Sequence, residues 1–344
     1  MYYTWAASFL LALLAWYELR PVGVADAWMV MGLVLLEMGL RKRKLSLRLQ
    51  GYVAFAASFA RIFVVNLNAA GNPGDISPRF YSVVPLGLAL YYVYVRLHQN
   101  HEFLDGWERV LKIEGVTCWL ATITFASLMR FEVPADWVAA AWAALTFGLL
   151  AVAWRSGRTL FLHQGLVVTA GVLSRTVLHN FYERSYFPAP TWESRWITVG
   201  VSIALLTAQL PLAFSLRRKE DPSTETGLIH LAQLMTRRPE QLIFFVAVGL
   251  LTTLLAVEMR RGMVTLSWGL EGVVIFMLAL WACERSFRLA GLGILLLCVG
   301  KILLVDVWGL NPQDRYLTFI VLGAALLLVS FLYTRNREAL RQYL

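Results

Sequence analysis

GLGILLLCVGKILLVDVWGLNPQDRY, residues 291–316, decides how the rest of the chain is read. An apolar run opens on Gly291, meets a lysine ten residues on (Lys301) and an aspartate five further (Asp306), and is followed by the pair Arg315-Tyr316. The same grammar occurs twice upstream, as Gly51, Arg61, Asn66, Arg79-Phe80 and as Gly165, Arg175, Asn180, Arg195-Trp196. In all three stretches the glycine-to-cation spacing is ten and the cation-to-Asn/Asp spacing is five, while the segment before the Arg-aromatic pair varies. The pattern predicts a threefold internal repeat in which each copy holds a charge inside an apolar helix.

Composition sets the solvent. Of 344 residues, 58% are hydrophobic and only 15% charged, far more apolar than a water-facing surface tolerates. A membrane-spanning helix needs about 20 mostly apolar residues, and such runs follow one another with little left between them. The predicted fold is all-α, a polytopic bundle of about twelve transmembrane helices in three four-helix units. Cys118, Cys283 and Cys298 lie inside apolar runs, too far apart for a Cys-x-x-Cys motif, which gives neither a disulfide framework nor a zinc site. Val24-Ala25-Asp26-Ala27 offers small residues after the first apolar stretch, but no basic region precedes that stretch, so the first helix is expected to be retained.

The first unit covers residues 1–98, with spans near Tyr3–Leu19, Ala25–Leu40, Ser46–Leu67 and Phe80–Leu97. The second covers 108–217, with spans near Leu111–Phe131, Ala135–Trp154, Thr159–Phe181 and Trp196–Leu216. A polar cytoplasmic connector at 218–240 precedes the third, 241–344, whose spans lie near Gln241–Glu258, Ser267–Cys283, Phe287–Trp308 and Tyr316–Tyr333. Tryptophans add registration marks. Glu18 precedes Trp28 by ten residues and Glu258 precedes Trp268 by ten, while in the middle copy Glu132 precedes Trp137 by five. Their ordinary role is an aromatic belt at the bilayer interface. Pro85 and Pro211 fall within the fourth spans of their units and are expected to kink them or loosen their hydrogen bonding.

Lys and Arg are retained on the cytoplasmic side of a membrane. Counted on a frame with the N-terminus inside, twenty fall on cytoplasmic segments and eight outside, with Arg61, Arg175 and Lys301 within the bilayer. Both termini are therefore expected in the cytoplasm. The net charge of +9 then serves topology and contact with anionic lipid headgroups at the cytoplasmic face, not nucleic acid, for which no zinc-finger, RNP or basic-helix pattern is present.

The three cations stand in the outer half of the membrane, where an uncompensated central charge costs about 2.5–3.5 kcal/mol on insertion scales. A carboxylate partner is expected from Glu18, Glu37, Glu132, Glu258, Glu271 or Asp306. Lys301 and Asp306 are expected on different helix faces, because five α-helical residues turn by about 500°. Two readings follow. In one, Arg61, Asn66 and Arg79, with Arg175, Asn180 and Arg195 and with Lys301, Asp306 and Arg315, converge on polar cavities suited to an anion or lipid headgroup. In the other they are interhelical glue, copied when the unit was duplicated. His98, His101, Glu102 and Asp105 form a polar cluster on a cytoplasmic loop without the helix-borne His-Glu-x-x-His pattern of a metal site, and a solvated loop is the expectation. The chain contains no Walker A loop, dinucleotide fingerprint, nucleophile elbow or haem-attachment motif, so no catalytic residue, metal or cofactor is assigned.

The run Phe287–Arg335, carrying Arg288, Gly291, Lys301, Asp306, Arg315, Gly323, Ser330, Tyr333 and Arg335, closely resembles the end of domain-of-unknown-function family 2339, with looser echoes in the two earlier units. The resemblance implies a polytopic protein of the bacterial inner membrane and brings no activity with it. Two roles stay open at this point: binding or moving an anionic lipid or envelope component, and serving as a non-catalytic subunit of a larger membrane assembly with a membrane-protein partner.

Overall fold

The computed structural model describes residues 2–69, 77–187, 192–217, 235–282, 284–306 and 312–335, and among these there is helix and no strand. Most of the expected connector, 218–234, and Cys283 lie outside the described residues. The chain divides into two compact units, Met1–Val168 and Thr169–Leu344.

The first unit contains α1 (Tyr2–Glu18), α2 (Gly23–Arg41), α3 (Leu45–Val64), α4 (Pro78–Gln99), the short α5 (Gly106–Val110), α6 (Ile113–Glu132), α7 (Val138–Ser156) and the start of α8 (Thr159–Arg175). Local chemistry sets several of the ends. Ser77 caps α4 by accepting from Arg79 N–H, with Pro78 in the first turn where its missing N–H costs nothing. Gly157 ends α7 at φ 68°, the left-handed conformation glycine adopts without strain. Pro85 does not interrupt α4, which is assigned as one helix through it.

The second unit continues with a π-helical stretch (Thr176–Glu183), the single turn α9 (Arg184–Tyr186), α10 (Arg195–Ala208), α11 (Leu210–Ser215), α12 (Pro239–Glu258), α13 (Arg261–Ala282), α14 (Arg285–Lys301), a second π-helical stretch (Ile302–Asp306) and α15 (Pro312–Arg335). Pro211 does mark a break, since its ring leaves no N–H for the preceding turn and the expected single span is divided into α10 and α11.

Helices pack closest where side chains vanish. A Cβ on Gly32 of α2 would lie 3.2 Å from the Gly51 carbonyl of α3, and one on Gly51 would lie 3.1 Å from the Gly32 carbonyl. In the second unit Gly272 of α13 and Gly291 of α14 meet in the same way, at 3.2 and 3.0 Å. Both glycine pairs are nineteen residues apart; the position nineteen before Gly165 is Thr146, and there the nearest atom to an added Cβ is the Leu150 side chain at 3.3 Å. Backbone-to-backbone approach through small residues is how helices associate where lipid removes the hydrophobic incentive.

A second contact recurs three times. The indole N–H of Trp28 donates to Ala12 O at 3.0 Å, that of Trp142 to Ala126 O at 2.9 Å and that of Trp268 to Thr252 O at 2.9 Å, each to a carbonyl sixteen residues earlier. These tryptophans fasten one helix to the next. The middle registration mark is thus Trp142, ten residues after Glu132 like its counterparts, and not Trp137, which sits at the start of α7.

Nine helices among the described residues are long and apolar enough to cross a membrane. Large apolar side chains such as Phe9, Leu88, Leu296 and Leu304 stand exposed on helix surfaces, an arrangement suited to a lipid environment, with the backbone polar groups paired inside each helix.

Candidate functional site

Arg61 stands in the last turn of α3, and its guanidinium donates to Pro21 O at 3.0 and 3.3 Å while lying 4.2 Å from the Trp16 ring centre and 5.7 Å from that of Trp28. Asn66 is fully buried and donates to Val22 O at 3.0 Å, and Ser58 donates to Ala25 O at 2.7 Å. Arg61 and Asn66 therefore hold the turn between α1 and α2, and Ser58 holds the first turn of α2. The carboxylate expected for Arg61 is replaced by the Pro21 carbonyl and two aromatic faces, which compensate a cation without bringing a second charge out of water. Arg79 goes elsewhere, donating to Phe131 O at 2.8 Å with Glu132 at 3.9 Å.

In the second unit Arg195 is shared. Its Nε donates to Asn180 O at 2.9 Å, Nη2 to Ser185 Oγ at 2.9 Å and Nη1 to Glu258 Oε1 at 2.9 Å. Asn180, fully buried, reaches Thr198 Oγ1 at 3.4 Å. Arg175 is the last residue of α8. Lys301 donates to Thr265 Oγ1 at 2.6 Å. Asp306 closes the second π-helical stretch and Arg315 stands in the first turn of α15; their side chains lie outside the described residues. The structure thus joins Arg61 with Asn66 at one turn and Asn180 with Arg195 directly, and sends Arg79 to α6.

Regular α geometry ends within a few residues of each cation. After Arg175 and Lys301 the helix becomes π-helical, and after Arg61 α3 gives way at Val64 to a 3₁₀ turn, Asn66–Asn68. The premise that Lys301 and Asp306 are separated by 100° steps fails, because the stretch between them bonds i to i+5. π-Bulges cluster at functional sites because they cost stability and free backbone groups.

A buried ion pair joins α3 to the connection expected to be a solvated loop, with the half-exposed Asp105 at its edge. Arg48 of α3 donates from Nε and Nη2 to Glu108 at 3.0 and 2.8 Å and from Nη2 to Asp105 at 3.0 Å, while Tyr52 hydroxyl donates to Glu108 at 2.8 Å. Asp105 N–H donates to Glu108 at 2.7 Å, completing a capping box on α5. Burial alone would raise the Glu108 pKa, but Arg48, the Asp105 N–H and Tyr52 outweigh it and hold the carboxyl below its ordinary value. His98 and His101 do not gather with Glu102 and Asp105; both approach Glu114, at 3.4 and 3.5 Å. No group of three His, Cys, Asp or Glu among the described residues is placed to hold a metal ion.

The second unit contains a cavity of about 770 Å³ between α10, α11, α12 and α13, with Phe287 of α14 also in its wall. Its wall is apolar except for Thr207, Ser267 and Glu271. Pro211, at the break between α10 and α11, lines it, as do Leu251 and Val274 from the facing helices. Met259, one residue from the Glu258 that Arg195 holds, lines it too. Glu271 is 6% exposed; its Oε1 accepts from Thr252 hydroxyl at 2.9 Å, and its buried Oε2 has no hydrogen-bond partner. Sequence reasoning singled out Glu271 only as a partner for a cation. The signal for more was available in the registration, since the residues three after Trp28, Trp142 and Trp268 are Met31, Leu145 and Glu271.

A volume of this size is typical of pockets that enclose small molecules or single chains, and the wall offers burial to an apolar body with few polar groups to orient it. Neither the curated proteins nor the solved structures contain a match to this chain. The family model for a predicted membrane protein, DUF2339, matches residues 77–336, and with that match spanning most of a polytopic helical chain the protein belongs to this family.

Proposed function

We propose that the protein binds a lipid-like envelope component within the membrane, with its apolar chain in the cavity between α10, α11, α12 and α13. The observation that carries this reading is the cavity itself, whose wall is apolar from Phe287 to Met259 except at three residues. An anionic headgroup would meet the cation-bearing helix ends of the same unit, where Arg175, Asn180, Arg195, Lys301, Asp306 and Arg315 stand; Arg195 pairs with Glu258, the neighbour of the cavity-lining Met259. Arg61, Asn66 and Arg79 of the first unit are read as a separate cation-bearing helix end. The chain is read as three four-helix units with twelve spans, in a bacterial inner membrane with both termini cytoplasmic. The recurring indole-to-carbonyl contact and the nineteen-residue glycine spacing support the repeat, and the basic-residue asymmetry supports the orientation.

The test is native mass spectrometry of the protein released from membrane-derived nanodiscs. A retained lipid adduct is expected for the wild type and a reduced one for Leu251→Trp, which places an indole in the cavity. Adducts of equal occupancy on both proteins would reject the site. The competing role, a non-catalytic subunit of a larger assembly, draws on α1, whose Tyr3, Phe9, Leu10, Leu14 and Tyr17 are all exposed along one side. A stoichiometric protein partner cross-linked along α1, with no lipid adduct, would favour it.

A further inference from the structure

Glu271 supplies a finer statement about the ligand, one that rests on the cavity reading above. Thr252 and Glu271 touch through one hydrogen bond, and they flank Trp268 at minus sixteen and plus three. The residues at the same offsets from Trp28 are Ala12 and Met31, and from Trp142 they are Ala126 and Leu145. Both positions are apolar in two cases and both polar in the third. The tie from indole to carbonyl forms in all three, at 3.0, 2.9 and 2.9 Å, so the hydroxyl–carboxyl pair is not what fastens α12 to α13. A carboxyl oxygen buried without a partner costs free energy that an alkyl side chain at this position would not, and ionisable groups at membrane depth mark ligand or ion paths more often than packing.

We infer that the cavity takes a molecule with a long apolar chain that also carries a hydrogen-bond donor, a hydroxyl or a protonated amine, and that this donor meets the Glu271 carboxyl, which lines the cavity and has one oxygen without a partner. Thr252 hydroxyl stands 2.9 Å from the other carboxyl oxygen and 2.9 Å from Val248 O, so its single proton is shared between the two acceptors. A purely hydrocarbon chain has no use for the carboxyl, and an anionic group would be repelled by its ionised form, which leaves any phosphate or carboxylate of the ligand to lie away from Glu271.

The experiment uses the full chain in phosphatidylcholine nanodiscs and three probes of equal chain length: 1-dodecanol, dodecylamine and dodecyl methyl ether, each corrected for uptake by empty nanodiscs. The alcohol or the amine should bind the wild type about tenfold more tightly than the ether, as one buried hydrogen bond of roughly 1.4 kcal/mol requires. Glu271→Leu should bind the ether as before and lose the preference. Glu271→Gln, which keeps an acceptor, should retain the preference for the alcohol and lose any additional preference for the amine; this variant and the wild-type series decide the matter if the leucine protein fails to fold. Equal affinity of the wild type for all three probes, with binding reduced by Leu251→Trp, would overturn the donor assignment and leave the apolar cavity standing. No uptake above empty nanodiscs by any probe would overturn both.

Discussion

Glu108 and Glu271 are both carboxylates buried in a chain with few charges, and they are treated in opposite ways. Glu108 accepts from four donors, two on Arg48, one on Tyr52 and the N–H of Asp105, so each of its oxygens is occupied. Glu271, which lines the cavity, accepts from Thr252 alone, and its second oxygen is buried without a partner. Glu108 stands on a short helix in a connection, where a loop can supply polar partners; Glu271 stands in the middle of an apolar span, where nearby groups are alkyl. The contrast separates two uses of a buried charge: one saturated by the fold and therefore part of what holds it, the other left half open where a ligand can complete it.

The largest effect that tests this contrast is expected at Arg48. Arg48→Met leaves Glu108 buried without its cation, and breaking such a pair costs about 3–5 kcal/mol. Thermal unfolding in detergent should show a pronounced drop in Tm. On the same measurement Glu271→Leu should change stability by less than about 1 kcal/mol or raise it, because it removes a half-satisfied polar group. Comparable losses in the two variants would break the comparison and make Glu271 a structural residue.

Acidity provides the next effect. The folded pKa of Glu108 is depressed, so its contribution is fully present above the unfolded carboxyl value of about 4.3 and is lost as pH falls through the lower folded value. Stability of the wild type should therefore decline as the medium is taken below about pH 4. Glu108→Gln should begin less stable and decline less steeply over the same window. Parallel curves for the two proteins would show that Glu108 gains nothing from its partners.

Much of this was legible in the sequence, and the limits have physical causes. The spacing of Gly51, Arg61 and Asn66 pointed to a glycine at a helix crossing and a cation further along the same helix, and in α3 Gly51 meets Gly32 and Arg61 stands in the last turn. The partners of the cations were not legible. Arg61 turns to the Pro21 carbonyl and two indoles, and a backbone carbonyl leaves no mark in a sequence, whereas a carboxylate does. The burial of Arg48 was hidden for a related reason: a basic residue beside Arg41, Lys42, Arg43 and Lys44 reads as one more topogenic charge, and only the fold brings Glu108 to it across sixty residues. The cavity depends on side-chain volumes from four helices and the break at Pro211, which no spacing records.

The smallest expected effect sharpens the comparison most. Trp142→Phe removes the indole-to-carbonyl tie where the flanking residues are Ala126 and Leu145, and it should cost about 1 kcal/mol, the net value of one hydrogen bond. Trp137→Phe, which touches no such tie among the described contacts, should stay within about 0.5 kcal/mol of the wild type and serves as the control for losing an indole. Trp268→Phe removes the same tie where the neighbours are Thr252 and Glu271. If the carboxyl belongs to the ligand site, the cost of Trp268→Phe should equal that of Trp142→Phe, since the tie is then independent of the polar pair beside it. A markedly larger cost at Trp268 would mean that the indole, the hydroxyl and the carboxyl act as one fastening, and Glu271 would then belong with Glu108 among the charges that hold the fold.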